Sequence, residues 1–216
     1  MSAQGFDGEL LALYREVRPQ LEYRMEDFRS IWRDRDEKAV LSELKFCLLT
    51  PQSKALSCWA AIERMGAEGV CGGSPNSTVE KCLKGVRFHH NKASYLLEAM
   101  DRFEKGDGSI IRLLQGFNSS REARDWFVRN IKGLGLKEAS HFLRNIGYGE
   151  DLAILDRHIL RNLALAGVIE EVPRSLPRAR YLEIEERMKG FASRVSIPLP
   201  HLDLLLWYKQ TGCVFK

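Results

Sequence analysis

Residues 121–147 read REARDWFVRNIKGLGLKEASHFLRNIG, and the way this stretch must be built decides the fold. Apolar residues recur at helical spacing on both sides of Lys132-Gly133-Leu134-Gly135, so two amphipathic helices meet at a joint of a few residues. That joint is far tighter than ordinary helix packing requires. Its glycines permit positive φ and leave the backbone bare, while Leu134 between them can plug the helix interface. Exposed amides at the start of the second helix make a site for a phosphate. Arg121, Arg124, Arg129, Lys132, Lys137 and Arg144 outnumber Glu122, Asp125 and Glu138 along the stretch. A hairpin with a glycine joint and no ligand is the purely structural alternative.

Outward from the hairpin, the same period continues. Helices are expected over Phe6–Trp32, with Pro19 marking a break or kink, and over Glu37–Leu49, Lys54–Met65, Asn91–Phe103, Ala139–Ile146, Arg157–Ala166, Arg178–Phe191 and Leu202–Lys209. Ser77–Glu80 and Ser119–Glu122 both fit the capping box. Linkers are expected at Gly66–Asn76, Pro173–Pro177 and Ile197–Pro200. Period-2 strands and internal repeats are absent from the pattern, so the chain is predicted to be all-α.

Composition sets the outer bounds. With 216 residues, 44% of them hydrophobic and 29% charged, the chain has enough apolar side chains for one domain or two small lobes, and too many to stay disordered. No apolar run approaches the ~20 residues of a membrane span, and the first residues lack a signal-peptide pattern, which predicts an intracellular protein. A net charge of +4 does not by itself identify a nucleic-acid binder. Five cysteines without a CxxC pair give neither a disulfide framework nor a zinc site, and His89 and His90 have no partner ligand at suitable spacing.

Two residues carry candidate chemistry. Lys137 falls in the first turn of the hairpin's second helix, where the helix dipole opposes a cation. Asp156 ends the apolar run Ala153–Leu155 at a natural N-cap, where backbone amides favour the ionised carboxylate. A surface lysine and a structural cap are the plain readings of each alone; an amine and an anchored carboxylate together suit attack on an electrophilic sugar carbon.

Ile131–Ala139, with Asp156 downstream, resembles the helix-hairpin-helix DNA glycosylase superfamily. Lys132 stands where that pattern usually has proline, and no four-cysteine iron–sulfur loop follows. Leu48–Ser53 is similar to the family loop whose glutamine, here Gln52, fills the gap left by an extruded base. Lys137–Asn145 followed by Asp151–Asp156, together with the Trp207-Tyr208 pair and the closing Lys216, resembles the archaeal-type 8-oxoguanine DNA glycosylase/AP lyases over roughly residues 8–216.

The resemblance implies two helical lobes around a DNA-binding cleft. One would be a helical barrel over residues 37–150 that contains the hairpin, the other residues 1–36 plus 151–216. It implies a bifunctional base-excision repair enzyme in which Lys137 attacks C1′ and Asp156 stabilises the cationic sugar. DNA contacts would fall to Gln52, Lys132, Gly133, Gly135 and His158. Trp207 and the terminal carboxylate of Lys216 would recognise the base. No redox cofactor or catalytic metal is implied, although relatives hold a monovalent cation on the hairpin carbonyls. The implied partner is double-stranded DNA containing 8-oxoguanine or abasic sites, bound by a monomer in the cytoplasm on the nucleoid, away from membranes. Two alternatives stand beside this: a non-enzymatic DNA-binding module that uses the hairpin only to grip phosphates, and a glycosylase for oxidised pyrimidines or mismatched adenine.

Overall fold

A computed structural model describes residues 3–105 and 108–216. They form helices α1 (Ala3–Arg33), α2 (Glu37–Leu49), α3 (Ala55–Ala67), α4 (Asn76–Cys82), α5 (His89–Glu104), α6 (Ile110–Gln115), α7 (Ser120–Asn130), α8 (Leu136–Asn145), α9 (Arg157–Leu165), α10 (Arg178–Arg194) and α11 (Leu199–Thr211). There is no strand among the described residues, and no helix there is long and apolar enough to cross a membrane. The all-α expectation holds.

Side chains gather into two cores. One is built from α2–α8, with Phe46, Leu96, Phe127, Phe142 and Ile146 at its centre. The other joins α1 to α9–α11 through Leu10, Leu21, Met25, Leu163, Met188 and Leu204. The division falls between Leu152 and Ala153, and Ile31, Trp32 and Phe215 cross it to pack on the first core. Pro200–Leu206 of α11 are all buried, because α1, α9 and α10 pack around it.

Several local expectations are corrected. α1 runs unbroken through Pro19. Phe6, Leu10, Tyr14, Val17, Leu21, Met25 and Phe28 keep one buried stripe on both sides of the proline, and that burial outweighs one lost backbone hydrogen bond. Pro198 and Pro200 do not prolong a linker; they open α11, where a missing N–H costs nothing. Ser77 is not a cap, since α4 begins at Asn76 behind Pro75. Ser119 is one: its Oγ accepts the Glu122 N–H at 3.1 Å. The six-residue α6 is too short to show a helical period in the sequence.

The hairpin itself is α7, the Ile131–Gly135 turn and α8. Phe127 and Phe142 meet edge to face at 4.9 Å, and Leu134 is buried between the helices. Gly133 has φ +92°, and a side chain there would start 2.6 Å from Cδ2 of Tyr95. Only glycine makes this turn.

Candidate active site

α8 and the N-terminus of α9 wall a cavity of about 580 Å³ between the two cores, within the range that holds a small ligand or a base. Lys137 is the second residue of α8 and lines the cavity, about three-quarters buried, with Nζ 3.3 Å from Oε1 of Glu138. Asp156 lines it from the other side as the N-cap of α9, its Oδ1 accepting the Ile159 N–H at 2.8 Å. The helices built around each core therefore contribute one residue each.

A buried network fixes the strand-like segment that carries Asp156. Arg124 of α7 donates to Glu185 of α10 through Nη1 at 2.6 Å and Nη2 at 3.1 Å, and both side chains are 1% exposed. Glu185 Oε2 also accepts the Ala153 N–H at 3.0 Å, and Tyr181 Oη donates to the Ala153 carbonyl at 2.7 Å. Burial holds the Tyr181 phenol above its usual range. The segment before Asp156 is thus tied to α10 directly and to α7 through Glu185.

Gln52, Trp207, His158 and Lys216 line the same cavity. Gln52 is exposed at its rim with φ +55°. His158 packs edge-on against Trp207, centroids 5.2 Å apart, with its Nδ1 and the indole Nε1 buried and unpaired. His158 is therefore a wall of the cavity beside Trp207. Lys132 lies outside the cavity, on the hairpin surface, with Nζ 5.4 Å from the centroid of Tyr95. Gly133 and Gly135 are exposed there too, but the Gly135 N–H already donates to Glu138 Oε2 at 3.2 Å. The hairpin offers a phosphate one amide fewer than its sequence suggests.

The tail beyond α11 brings Lys216 to the wall of the cavity that Trp207 also lines. Val214 packs on the second core and Phe215 on the first, so the tail crosses between lobes. The Lys216 ammonium stands 3.6 Å over the Trp59 ring and pairs with Glu43, with side-chain exposures of 9% and 3%. Its backbone faces His141.

Sequence reasoning missed the charged wall behind these residues. Arg144, 1% exposed, pairs through Nη2 with Oδ2 of Asp203 at 3.3 Å, and both line the cavity. Burial, with Asp156 nearby, pushes the Asp203 carboxyl up to about 7 against the opposing pull of Arg144. His141 is buried, and burial beside Arg144 holds it well below the usual histidine range, as neutral imidazole. A charged residue inside an apolar run, Asp203 in Leu202–Leu206 or Glu43 in Val40–Leu49, was the available signal.

The family model for 8-oxoguanine DNA glycosylase matches residues 21–197. An 8-oxoguanine DNA glycosylase/AP lyase of Fusobacterium nucleatum is 43% identical over 218 residues, covering 100% of both chains. One from Methanocaldococcus jannaschii is 38% identical across 93% of this chain and 94% of its own. The crystal structure of the M. jannaschii 8-oxoguanine DNA glycosylase superposes with a TM-score of 0.87 at 36% identity, covering 99% of this chain and 97% of that one. The same enzyme in complex with a 15mer DNA containing 8-oxoguanine gives 0.85, covering 96% and 100%. On these grounds the chain belongs to the 8-oxoguanine DNA glycosylase family.

Proposed function

We propose that this chain removes 8-oxoguanine from double-stranded DNA and then cleaves the strand at the abasic site through a lysine Schiff base. The observation that carries the reading is the convergence of Lys137 and Asp156, one from each lobe, on a single cavity of base-holding size. The lesion nucleotide leaves the stack and enters that cavity. The Lys137 amine, relieved of a proton with the help of Asp156, attacks C1′. The glycosidic bond breaks, its electron pair leaving with the base, which takes up a proton. The Asp156 carboxylate faces the positive charge that develops on the sugar. Ring opening gives the protonated Schiff base, loss of a C2′ proton follows, and the 3′ phosphate is expelled by β-elimination.

Trp207 supplies the stacking surface for the purine, and the main chain of Lys216 meets its Watson–Crick edge. Gln52 fills the vacated position in the duplex, while Lys132 and the bare backbone at Gly133 and Gly135 hold phosphates. Amine and carboxylate suffice for these steps, so no redox cofactor or catalytic metal is invoked. The exposed backbone at Gly133 and Gly135 suits a monovalent cation as an accessory to phosphate binding. A substrate of this kind puts the enzyme inside the cell, on the nucleoid.

Borohydride trapping on a duplex containing 8-oxoguanine tests the reading. A covalent protein–DNA adduct is expected. Tight DNA binding without an adduct or a released base would favour the non-enzymatic module instead, and preferential release of an oxidised pyrimidine would reassign the substrate.

A further inference from the structure

The turn between α2 and α3 is held by a buried lysine that the chemistry above leaves unused. Lys92, in the first turn of α5, is 4% exposed. Its Nζ donates to the Leu49 carbonyl at 2.7 Å, the Pro51 carbonyl at 2.7 Å and Ser53 Oγ at 3.0 Å. An ammonium has three donors, and here each has an acceptor. The Leu49 carbonyl belongs to the last turn of α2, so a positive charge meets the negative end of that helix. Ser53 Oγ accepts a further hydrogen bond from the Arg87 N–H at 3.0 Å, which ties the turn to the segment ahead of α5. Burial, with Lys137 and Arg87 nearby, lowers the Lys92 pKa, so the three acceptors offset a penalty that burial places on the ammonium.

The three acceptors bracket Gln52. That residue sits at φ +55°, in the left-handed region that is strained for a non-glycine residue and persists only when its surroundings impose it. We propose that Lys92 is a positioning residue: it clamps the Thr50–Ser53 turn so that Gln52 is aimed into the gap left by the flipped nucleotide. The proposal rests on the gap-filling reading of Gln52. Lys92 is not a second nucleophile, because its donors are engaged in the clamp.

Gap filling matters only where a partner base has been orphaned, so the test compares two substrates. Lys92→Met should lower the ratio of 8-oxoguanine excision from duplex DNA to cleavage of an abasic site in single-stranded DNA by about 10- to 100-fold, the effect of losing charge-assisted hydrogen bonds. Gln52→Ala should lower the same ratio, and the double variant should be no worse than either alone, because both changes disable one device. Equal losses on both substrates, or no loss, would overturn the proposal. An impaired Lys92→Met beside an inert Gln52→Ala would also overturn it, and would locate the failure in the role given to Gln52. Should Lys92→Met not fold, Ser53→Ala removes one acceptor and the Arg87 tether; it should shift the ratio in the same direction by about 3- to 10-fold, and an unchanged ratio would overturn the clamp.

Discussion

At the scale of single residues, the proposed reaction separates groups given a chemical step from groups that hold them. Lys137→Gln removes the amine and leaves the hairpin intact, so base release and the borohydride-trapped adduct should both disappear while DNA affinity stays near wild type; cleavage above a few percent of the wild-type rate would exclude Lys137 as nucleophile. Asp156→Asn should slow the chemical step by about 10²–10⁴-fold with little change in melting temperature, since asparagine caps α9 about as well as aspartate; a large fall in melting temperature with activity kept would make the residue structural. Asp203 makes a pH prediction whose sign is set by its raised pKa. Its carboxyl titrates near 7 in the fold against an ordinary value of 3.8, so the folded state binds the extra proton between these limits. The stabilisation is complete below about pH 4 and is lost as pH rises toward 7, on the order of 4 kcal/mol in all. Asp203→Asn should therefore flatten the decline in stability between pH 4 and 7, measured by denaturant unfolding; parallel pH profiles for the two proteins would show that Asp203 does not titrate there.

At the scale of elements, the hairpin explains why some of this protein was legible in its sequence. Lys137 and Asp156 stood out because each sits at a helix start with its own local signature, the glycine joint in one case and an N-cap after an apolar run in the other. The pairs Arg124–Glu185, Arg144–Asp203 and Glu43–Lys216 left no comparable mark, because each joins elements far apart in the chain, 61 residues apart for Arg124 and Glu185. Spacing carries no information about such pairs. Nor did it show that Glu138 takes the Gly135 amide. The two glycines of the joint also differ in a way that sequence conceals. A side chain at Gly133 meets the Tyr95 ring at 2.6 Å on a left-handed backbone, whereas Gly135, at φ −93°, is extended, and its side chain would meet only the carboxylate end of the Glu138 side chain at 3.0 Å. Gly135→Val should therefore fold, yet obstruct the approach of a phosphate. Its affinity should fall, and the slope of log K against log salt should become shallower by about 0.9 for each phosphate the hairpin no longer holds. Unchanged affinity and slope in a folded Gly135→Val would remove the hairpin from the DNA interface.

At the scale of the molecule, the cavity exists because two cores are held at a fixed distance, and the tail is one of the ties. Val214 rests on one core, Phe215 on the other, and Lys216 ends against Glu43, Trp59 and Phe46 beside the cavity. Glu43 also accepts from Asn145 Nδ2 at 2.8 Å, so one buried carboxylate connects the tail to the end of α8, the helix that carries Lys137. Lys216→Met leaves that carboxylate buried without its cation, a change that typically destabilises by ~3–5 kcal/mol. Glu43→Gln added to Lys216→Met removes the orphaned charge and keeps the acceptor for Asn145, so much of the lost stability should return. Activity should not return with it: if the pair serves to set the tail against the cavity, the stabilised double variant should still excise 8-oxoguanine poorly while cleaving a ready-made abasic site nearly as well as wild type, because only the first reaction needs the base held in place. Denaturant unfolding and parallel single-turnover assays on the two substrates check both halves. A Lys216→Met variant as stable as wild type would dismiss the buried pair, and equal recovery on both substrates in the double variant would show that the tail shapes stability alone.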